Sequence, residues 1–312
     1  MNLSIGSRGS QLALWQANHI AALLRNEGHS VDIKIIKTTG DRLQEVTFAQ
    51  VGSKGMFTKE IEEALADGSV DLAVHSLKDL PTDLPEPFTL AATPERVDPR
   101  DVFVSVNYEN LAALPLGGCV GTSSQRRRAQ LKAVRPDIQA VEFRGNVDTR
   151  LRKLAEGQVD AILLAAAGLD RLEKTEWVRE RLEPRDFCPA AGQGALGIET
   201  RKNDAVTMTA VAFLNHAATR FAVTVERAAL AALGGGCQVP IGIHCRAGEA
   251  QGTELWDEVF AVVAAPETGQ AVRVYHRVPH AGADPVSLGR LVAQKLMDAG
   301  AGPLLAAAGG VR

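Results

Sequence analysis

Along the first third of the chain, hydrophobic positions switch between two periods. Leu3–Ser7 and Val31–Thr38 read as short strands, whereas Gln11–Asn26 carries Leu12, Trp15, Ile20, Leu23 and Leu24 at helical spacing. Phe57–Ala66 reads as a second helix and Asp71–His75 as a buried strand. This β-α-β-α-β order predicts a parallel sheet with helices on both faces. Pro81, Pro85, Pro87, Pro94 and Pro99 crowd the stretch Leu80–Arg100, which reads as a connector between domains. A second α/β unit follows: strand Val102–Val106, a helix from Ser124, strand Ala140–Arg144, helix Val147–Glu156 and strand Ala161–Leu164. Pro184–Gly194 is loop-like. From Ala217 a long alanine-rich helix runs to Leu233, then come Gly234-Gly235-Gly236 and a strand, Val239–His244. The tail Gly300–Arg312 is rich in small residues and is expected to fray. The fold expected is α/β, with two doubly wound domains and a smaller C-terminal α+β domain. Ligands of such domains bind at the carboxyl ends of strands, often between domains.

Composition narrows the function classes. The chain has 312 residues, room for two or three domains at roughly 100–150 residues each. The net charge is −3, so no global basic field draws nucleic acid or acidic membranes, and any anion site must be a local cluster. Aromatic residues make up only 4% and do not interleave with the arginines, which further disfavours a nucleic-acid surface. The four cysteines, Cys119, Cys188, Cys237 and Cys245, are spaced unlike CxxC pairs. Arg8 and its polar neighbours stand where a signal peptide would need an apolar core, and the apolar runs Ala161–Ala167 and Val259–Ala265 fall short of the about 20 residues that span a bilayer. The expectation is a cytoplasmic protein with reduced thiols. Cys237, His244 and Cys245 lack zinc-like spacing, so no metal is expected.

Four stretches carry candidate chemistry. Gly121–Arg128 opens a helix with Thr122, Ser123 and Ser124 ahead of Arg126, Arg127 and Arg128. Free N–H groups in a first turn bind anions, yet cations there oppose the helix dipole by about 0.3–1 kcal/mol each. A solvated basic patch is the plain alternative; the unfavourable placement favours anion binding. Arg144 and Arg150 flank Gly145 at the next strand-to-helix turn, and Arg8 with Ser10 repeats the pattern after the first strand. Lys78-Asp79 ends the third strand and fits either acid/base or cation-stabilising work, or a surface ion pair. His75 there reads as a satisfied, half-buried histidine. Cys237 follows three glycines in an open loop, where a thiolate is accessible, while the other three cysteines read as small buried hydrophobes. Gly192–Gly197 spells GxGxxG but precedes a strand-like Leu196–Thr200, the wrong context for a dinucleotide. Gly52–Gly55 reads as a flexible lid carrying Lys54.

Taken together, SRGSQLALWQA, VGSKGMFTKEIEEAL, DLAVHSLKDLP, DPRDVFVS, GTSSQRRRAQL, FRGNVDTRL, AAAGLDRL, AAGQGALGIE and GGGCQVPIG resemble one family in order and spacing, porphobilinogen deaminase, also called hydroxymethylbilane synthase. They run from residue 7 to about 242; the final 70 or so residues carry little family signal. The resemblance implies an enzyme that joins four porphobilinogen molecules, with loss of ammonia, into linear hydroxymethylbilane. It implies a dipyrromethane cofactor bound through a thioether to Cys237. It implies two periplasmic-binding-protein-like domains with a cleft between them, plus a third domain. The boundaries expected are 1–96 with 195–214, then 97–194, then 215–312. By resemblance, Asp79 is catalytic, and Lys78, Asp79, Ser124, Arg126, Arg127 and Arg150 hold the cofactor with Cys237. Arg8, Ser10, Arg144, Arg150 and Arg171 meet substrate carboxylates, and Lys54 with Phe57 matches a mobile loop. A monomer with no nucleic-acid or membrane partner is implied. Gln50 departs from relatives that carry a second lysine there. The rival reading is a non-catalytic carboxylate-binding protein of periplasmic-binding-protein architecture, which would need neither Asp79 nor an exposed Cys237.

Overall fold

The computed structural model describes residues 1–39, 58–235, 239–251 and 254–307. In chain order the elements are β1 (Asn2–Ser7), α1 (Gln11–Asn26), β2 (Ser30–Ile35), α2 (Lys59–Ala66), β3 (Leu72–Ser76) and β4 (Phe88–Ala92). Then come β5 (Asp101–Val104), β6 (Cys119–Gly121), α3 (Gln125–Val134), β7 (Gln139–Val141), α4 (Val147–Ala155), β8 (Ala161–Ala165), α5 (Ala166–Arg171) and β9 (Val178–Leu182). The last are β10 (Leu196–Arg201), α6 (Ala205–Val211), α7 (Ala217–Ala232), β11 (Ile241–Gln251), β12 (Glu254–Ala264), β13 (Ala271–Pro279), α8 (Pro285–Asp298) and α9 (Ala301–Ala307). They divide into two compact units, Met1–Val97 with Ala195–Arg220, and Asp98–Gly194 with Phe221–Arg312.

The first unit holds a five-stranded sheet in the order β2-β1-β3-β10-β4. β1 runs parallel to β2 and β3, but β10 is antiparallel to both β3 and β4, so the sheet is mixed where the early β-α pattern implied a parallel one. α1 packs Ile20, Ala21 and Leu24 onto Ile5, Leu72 and Val74 on one face. α2 packs Ile61 and Leu65 onto Ala73 and Phe88 on the other. The proline-rich stretch hides β4, which pairs only with β10 at the sheet edge. Its prolines flank Phe88–Ala92 without entering it, as an edge strand tolerates.

The second unit repeats that wiring in a sheet ordered β7-β6-β8-β5-β9. β6 is parallel to β7 and β8, and β5 is antiparallel to β8 and β9. α3 covers one face through Leu131, and α4 covers the other through Leu151 and Leu154. The same unit contains the antiparallel sheet β11-β12-β13. On β12, Val259, Ala261 and Val263 point to a core shared with α7, α8 and α9, while Phe260, Val262 and Ala264 meet Ala129 and Cys188. Burial on both faces makes Val259–Ala265 an unbroken apolar run rather than an alternating one. The tail expected to fray forms α9, with Ala301, Leu304 and Leu305 buried; residues 308–312 lie outside the described residues. No helix among the described residues is long and apolar enough to cross a membrane.

Candidate functional site

Within each unit, the candidate side chains sit at the carboxyl ends of the parallel strands. In the first, Arg8 and Ser10 follow β1, and Lys78 and Asp79 follow β3 in a single turn of 3-10 helix, Leu77–Asp79. Ser10 caps α1, accepting from the Ala13 N–H at 3.3 Å. Asp79 is exposed. His75 is 7% exposed and its Nε2 lies 2.8 Å from Glu199, fitting a satisfied core histidine.

In the second unit, Ser124 follows β6 and caps α3, accepting from the Arg127 N–H at 3.4 Å. Arg126 and Arg127 are buried at 4% and 6%. Both close on Asp101, the first residue of β5. Arg126 Nη1 donates to Asp101 Oδ2 at 2.6 Å, and Arg127 Nη2 donates to Oδ1 at 2.7 Å. Arg126 also donates to the Cys188 carbonyl at 2.6 Å, Arg127 to that of Leu163 at 3.1 Å, and Gln193 Nε2 to Asp101 Oδ1 at 2.9 Å. Burial alone would raise the Asp101 carboxyl, but the two guanidiniums hold it far below the usual carboxylate range. Asp101 thus supplies a counter-charge that the helix dipole denies to Arg126 and Arg127. Nothing in the spacing singled it out; an acidic residue opening the apolar run Val102–Val104 was the available signal.

The next turn is different. Gly145 has φ +126, and a Cβ there would lie 2.7 Å from Thr149 Cγ2, so only glycine fits. Asn146 caps α4 through the Thr149 N–H at 2.9 Å. Arg144 Nε donates to Glu142 at 2.6 Å, and Arg128 approaches the same carboxylate at 4.0 Å. Arg150 Nε donates to the Gly145 carbonyl at 2.7 Å, and among the described residues the guanidinium makes no hydrogen bond to a carboxylate. Burial, with Arg127 close enough to repel, pulls Arg150 down to about 10. Arg171 ends α5, the helix after β8; it is 6% exposed and donates to the Gly194 carbonyl at 2.8 Å. Burial pulls it, too, down to about 10. The arginines predicted from three separate stretches therefore share the strand ends of one sheet, and Arg127 and Arg150 feel each other's charge.

Cys237, Lys54 and Phe57 lie outside the described residues. α7 leads toward Cys237 and ends in a left-handed Gly234 at φ +66. Cys188 and Cys245 are buried and Cys119 partly so; burial pushes the Cys188 thiol far up, which suits an inert packing role. A second acid the sequence did not flag is Glu226 on α7, fully buried, accepting from the Gly192 N–H at 2.7 Å and the Cys245 N–H at 2.8 Å. Among the described residues no three His, Cys, Asp or Glu side chains form a metal cluster.

Comparison with known proteins bears on the same residues. The family model for the dipyrromethane cofactor binding domain of porphobilinogen deaminase matches residues 3–209, and that for the C-terminal domain of porphobilinogen deaminase matches residues 220–298. The second match corrects the expectation that the last 70 or so residues carry little family signal. Porphobilinogen deaminase of Nitratidesulfovibrio vulgaris strain Miyazaki F is 49% identical over 311 residues, covering 97% of this chain and 96% of that one. Porphobilinogen deaminase of Chromobacterium violaceum is 49% identical over 305 residues, covering 97% and 96%. Among solved structures, the methionine binding protein MetQ aligns with TM-score 0.44 at 12% identity, over 68% of this chain and 89% of its own.

Proposed function

The chain belongs to the porphobilinogen deaminase family, and from that premise we propose that it is a transferase joining four porphobilinogen molecules, with loss of ammonia, into linear hydroxymethylbilane for tetrapyrrole synthesis. Near-half identity along the whole chain to proteins of that name supports this reading and lends nothing to the carboxylate-sensor alternative.

The observation that carries it is Arg150, a half-buried guanidinium at a helix N-terminus that makes no carboxylate hydrogen bond among the described residues and stands beside the Arg127 charge. A partly desolvated cation held close to another cation is stabilised when an anion arrives between them. The acetate and propionate groups of pyrroles are such anions, so the residues fit a dipyrromethane. Arg126 and Arg127 share Asp101 and act as a unit of one net positive charge. We assign Lys78, Ser124, Arg126, Arg127 and Arg150 to hold the cofactor, with Cys237 as its thioether anchor. Arg8, Ser10, Arg144 and Arg171 are assigned to substrate carboxylates, and Lys54 and Phe57 to a loop beside the site.

When bound, the dipyrromethane supplies the nucleophilic terminal pyrrole onto which each new unit is joined. Asp79 offers an exposed carboxylate that accepts pyrrole N–H bonds. Its negative charge stabilises the positive carbon that porphobilinogen develops as ammonia departs. The arginines bind the carboxylates at the periphery of the pyrroles and so restrict the orientation of each ring. A third domain at 215–312 carrying Cys237, a monomeric state, a cytoplasmic site of action and the absence of nucleic-acid or membrane partners belong to the same reading.

Intact-mass measurement of the purified protein tests it. Wild type is expected to exceed the bare chain mass by a two-pyrrole adduct that Cys237→Ala lacks. Asp79→Asn is expected to keep fold and adduct while losing about 10²–10³-fold in turnover of porphobilinogen. A bare wild-type mass without porphobilinogen consumption would reject the reading.

A further inference from the structure

Beneath α2 lies a buried hydrogen-bonded pair that the chemistry above does not use. His75 and Glu199 are 7% and 0% exposed, and the imidazole Nε2 lies 2.8 Å from Glu199 Oε2. The other oxygen, Oε1, is buried without a hydrogen-bond partner. Burying two polar groups costs free energy even when they bond to each other, and a well-packed apolar pair of similar volume often folds as well or better. Stability alone therefore gives no reason for this pair.

Its position does. His75 is the last residue but one of β3, which runs through Ser76 into the turn Leu77–Asp79. Glu199 lies on β10, which closes antiparallel on β3 with Gly197 opposite His75 and Leu196 opposite Ser76. The Leu77 N–H donates to the Ala195 carbonyl at 3.0 Å. A Cβ on Gly197 would lie 2.9 Å from both Leu77 and Leu90, so the glycine leaves the space those side chains use. The turn that presents Lys78 and Asp79 is thus secured by a strand that arrives only after residues 98–194. Other charged groups on this face are few. Glu62 comes from α2, its carboxyl raised by burial against a Thr58 hydrogen bond, with Glu199 adding to the rise and His75 opposing it. Arg201, further along β10, is bound to the Leu65 and Val70 carbonyls, Asp71 and Asp204.

We propose that His75 and Glu199 are positioning residues for Asp79: their buried pair fixes where β3 ends and so where the following turn holds its carboxylate. The inference rests on the reading of Asp79 as the catalytic carboxylate. It is tested with His75→Leu/Glu199→Leu and with the single variant Glu199→Leu, which removes the carboxyl group at similar volume. The double variant is expected to unfold no earlier than wild type, whereas Glu199→Leu alone strands the buried imidazole and is expected to unfold earlier while still folding. Amide hydrogen exchange at Leu77–Leu80 is expected to speed up about tenfold while that of β1 is unchanged. Turnover of porphobilinogen is expected to fall about 10²-fold in kcat with KM within about twofold. Glu199→Gln, which keeps a hydrogen bond to the imidazole, is expected to recover most of kcat. Wild-type exchange at Leu77–Leu80 in the Leu variants, or wild-type kcat in a variant that folds, overturns the proposal. Wild-type protein inert toward porphobilinogen would instead reject the role of Asp79, leaving the exchange measurement to judge the lock.

Discussion

Two guanidiniums in the first turn of α3 face the positive end of a helix dipole, and Asp101 offsets that cost from outside the helix. Removing its charge would leave both arginines buried and uncompensated. Asp101→Asn is therefore expected to cost about 3–5 kcal/mol at neutral pH in denaturant unfolding. The Asp101 carboxyl is depressed in the folded chain, so its contribution is present above the ordinary carboxylate range and is lost as pH falls. The difference between wild type and variant is expected to narrow below about pH 4, where the unfolded carboxyl takes up its proton. An equal gap at pH 3 and pH 7 would contradict this. Arg126 and Arg150 were equally visible in the sequence as cations in a first turn. Only the fold separates them, because Asp101 bonds directly to one, while the other bonds to a carbonyl with Glu142 acting only at a distance.

At the scale of the element, caps and turns were legible. Ser10, Ser124 and Asn146 stand where short polar side chains precede a helix, and each accepts an N–H from the third residue on. Gly145 marks a place where the backbone has no alternative. Gly145→Ala is expected to lower stability by about 1–3 kcal/mol, since it combines a left-handed φ with an overlap on Thr149. Thermal unfolding checks this, and an unshifted transition would mean the turn relaxes freely. Elements were lost where local signals conflicted with context. Five prolines masked β4, a strand whose partner β10 lies about a hundred residues on, beyond any local window. Small residues masked α9, which is held by burial of Leu304 and Leu305 against the C-terminal core rather than by propensity.

For the whole molecule, the C-terminal sheet and the preceding α/β sheet fall in one unit because both faces of β12 are buried. Phe260 is 5% exposed and sits with Ala129 and Cys188 on the seam. Phe260→Ala is expected to cost about 3–5 kcal/mol. It is also expected to split the denaturant transition of that unit into two steps, followed by separate probes in α4 and α8; a single unshifted transition would show that the seam carries no cooperativity. The linear pattern by itself determined the alternation of strands and helices, the clustering of arginines at strand-to-helix turns, and family membership, because period, caps and motif spacing are local properties of the chain. The tertiary structure alone decided which cations are bonded to a buried carboxylate, and which distant strand secures the Asp79 turn. Burial and pairing depend on residues far apart in sequence, such as Asp101 with Arg126 and His75 with Glu199, and no local window contains both partners.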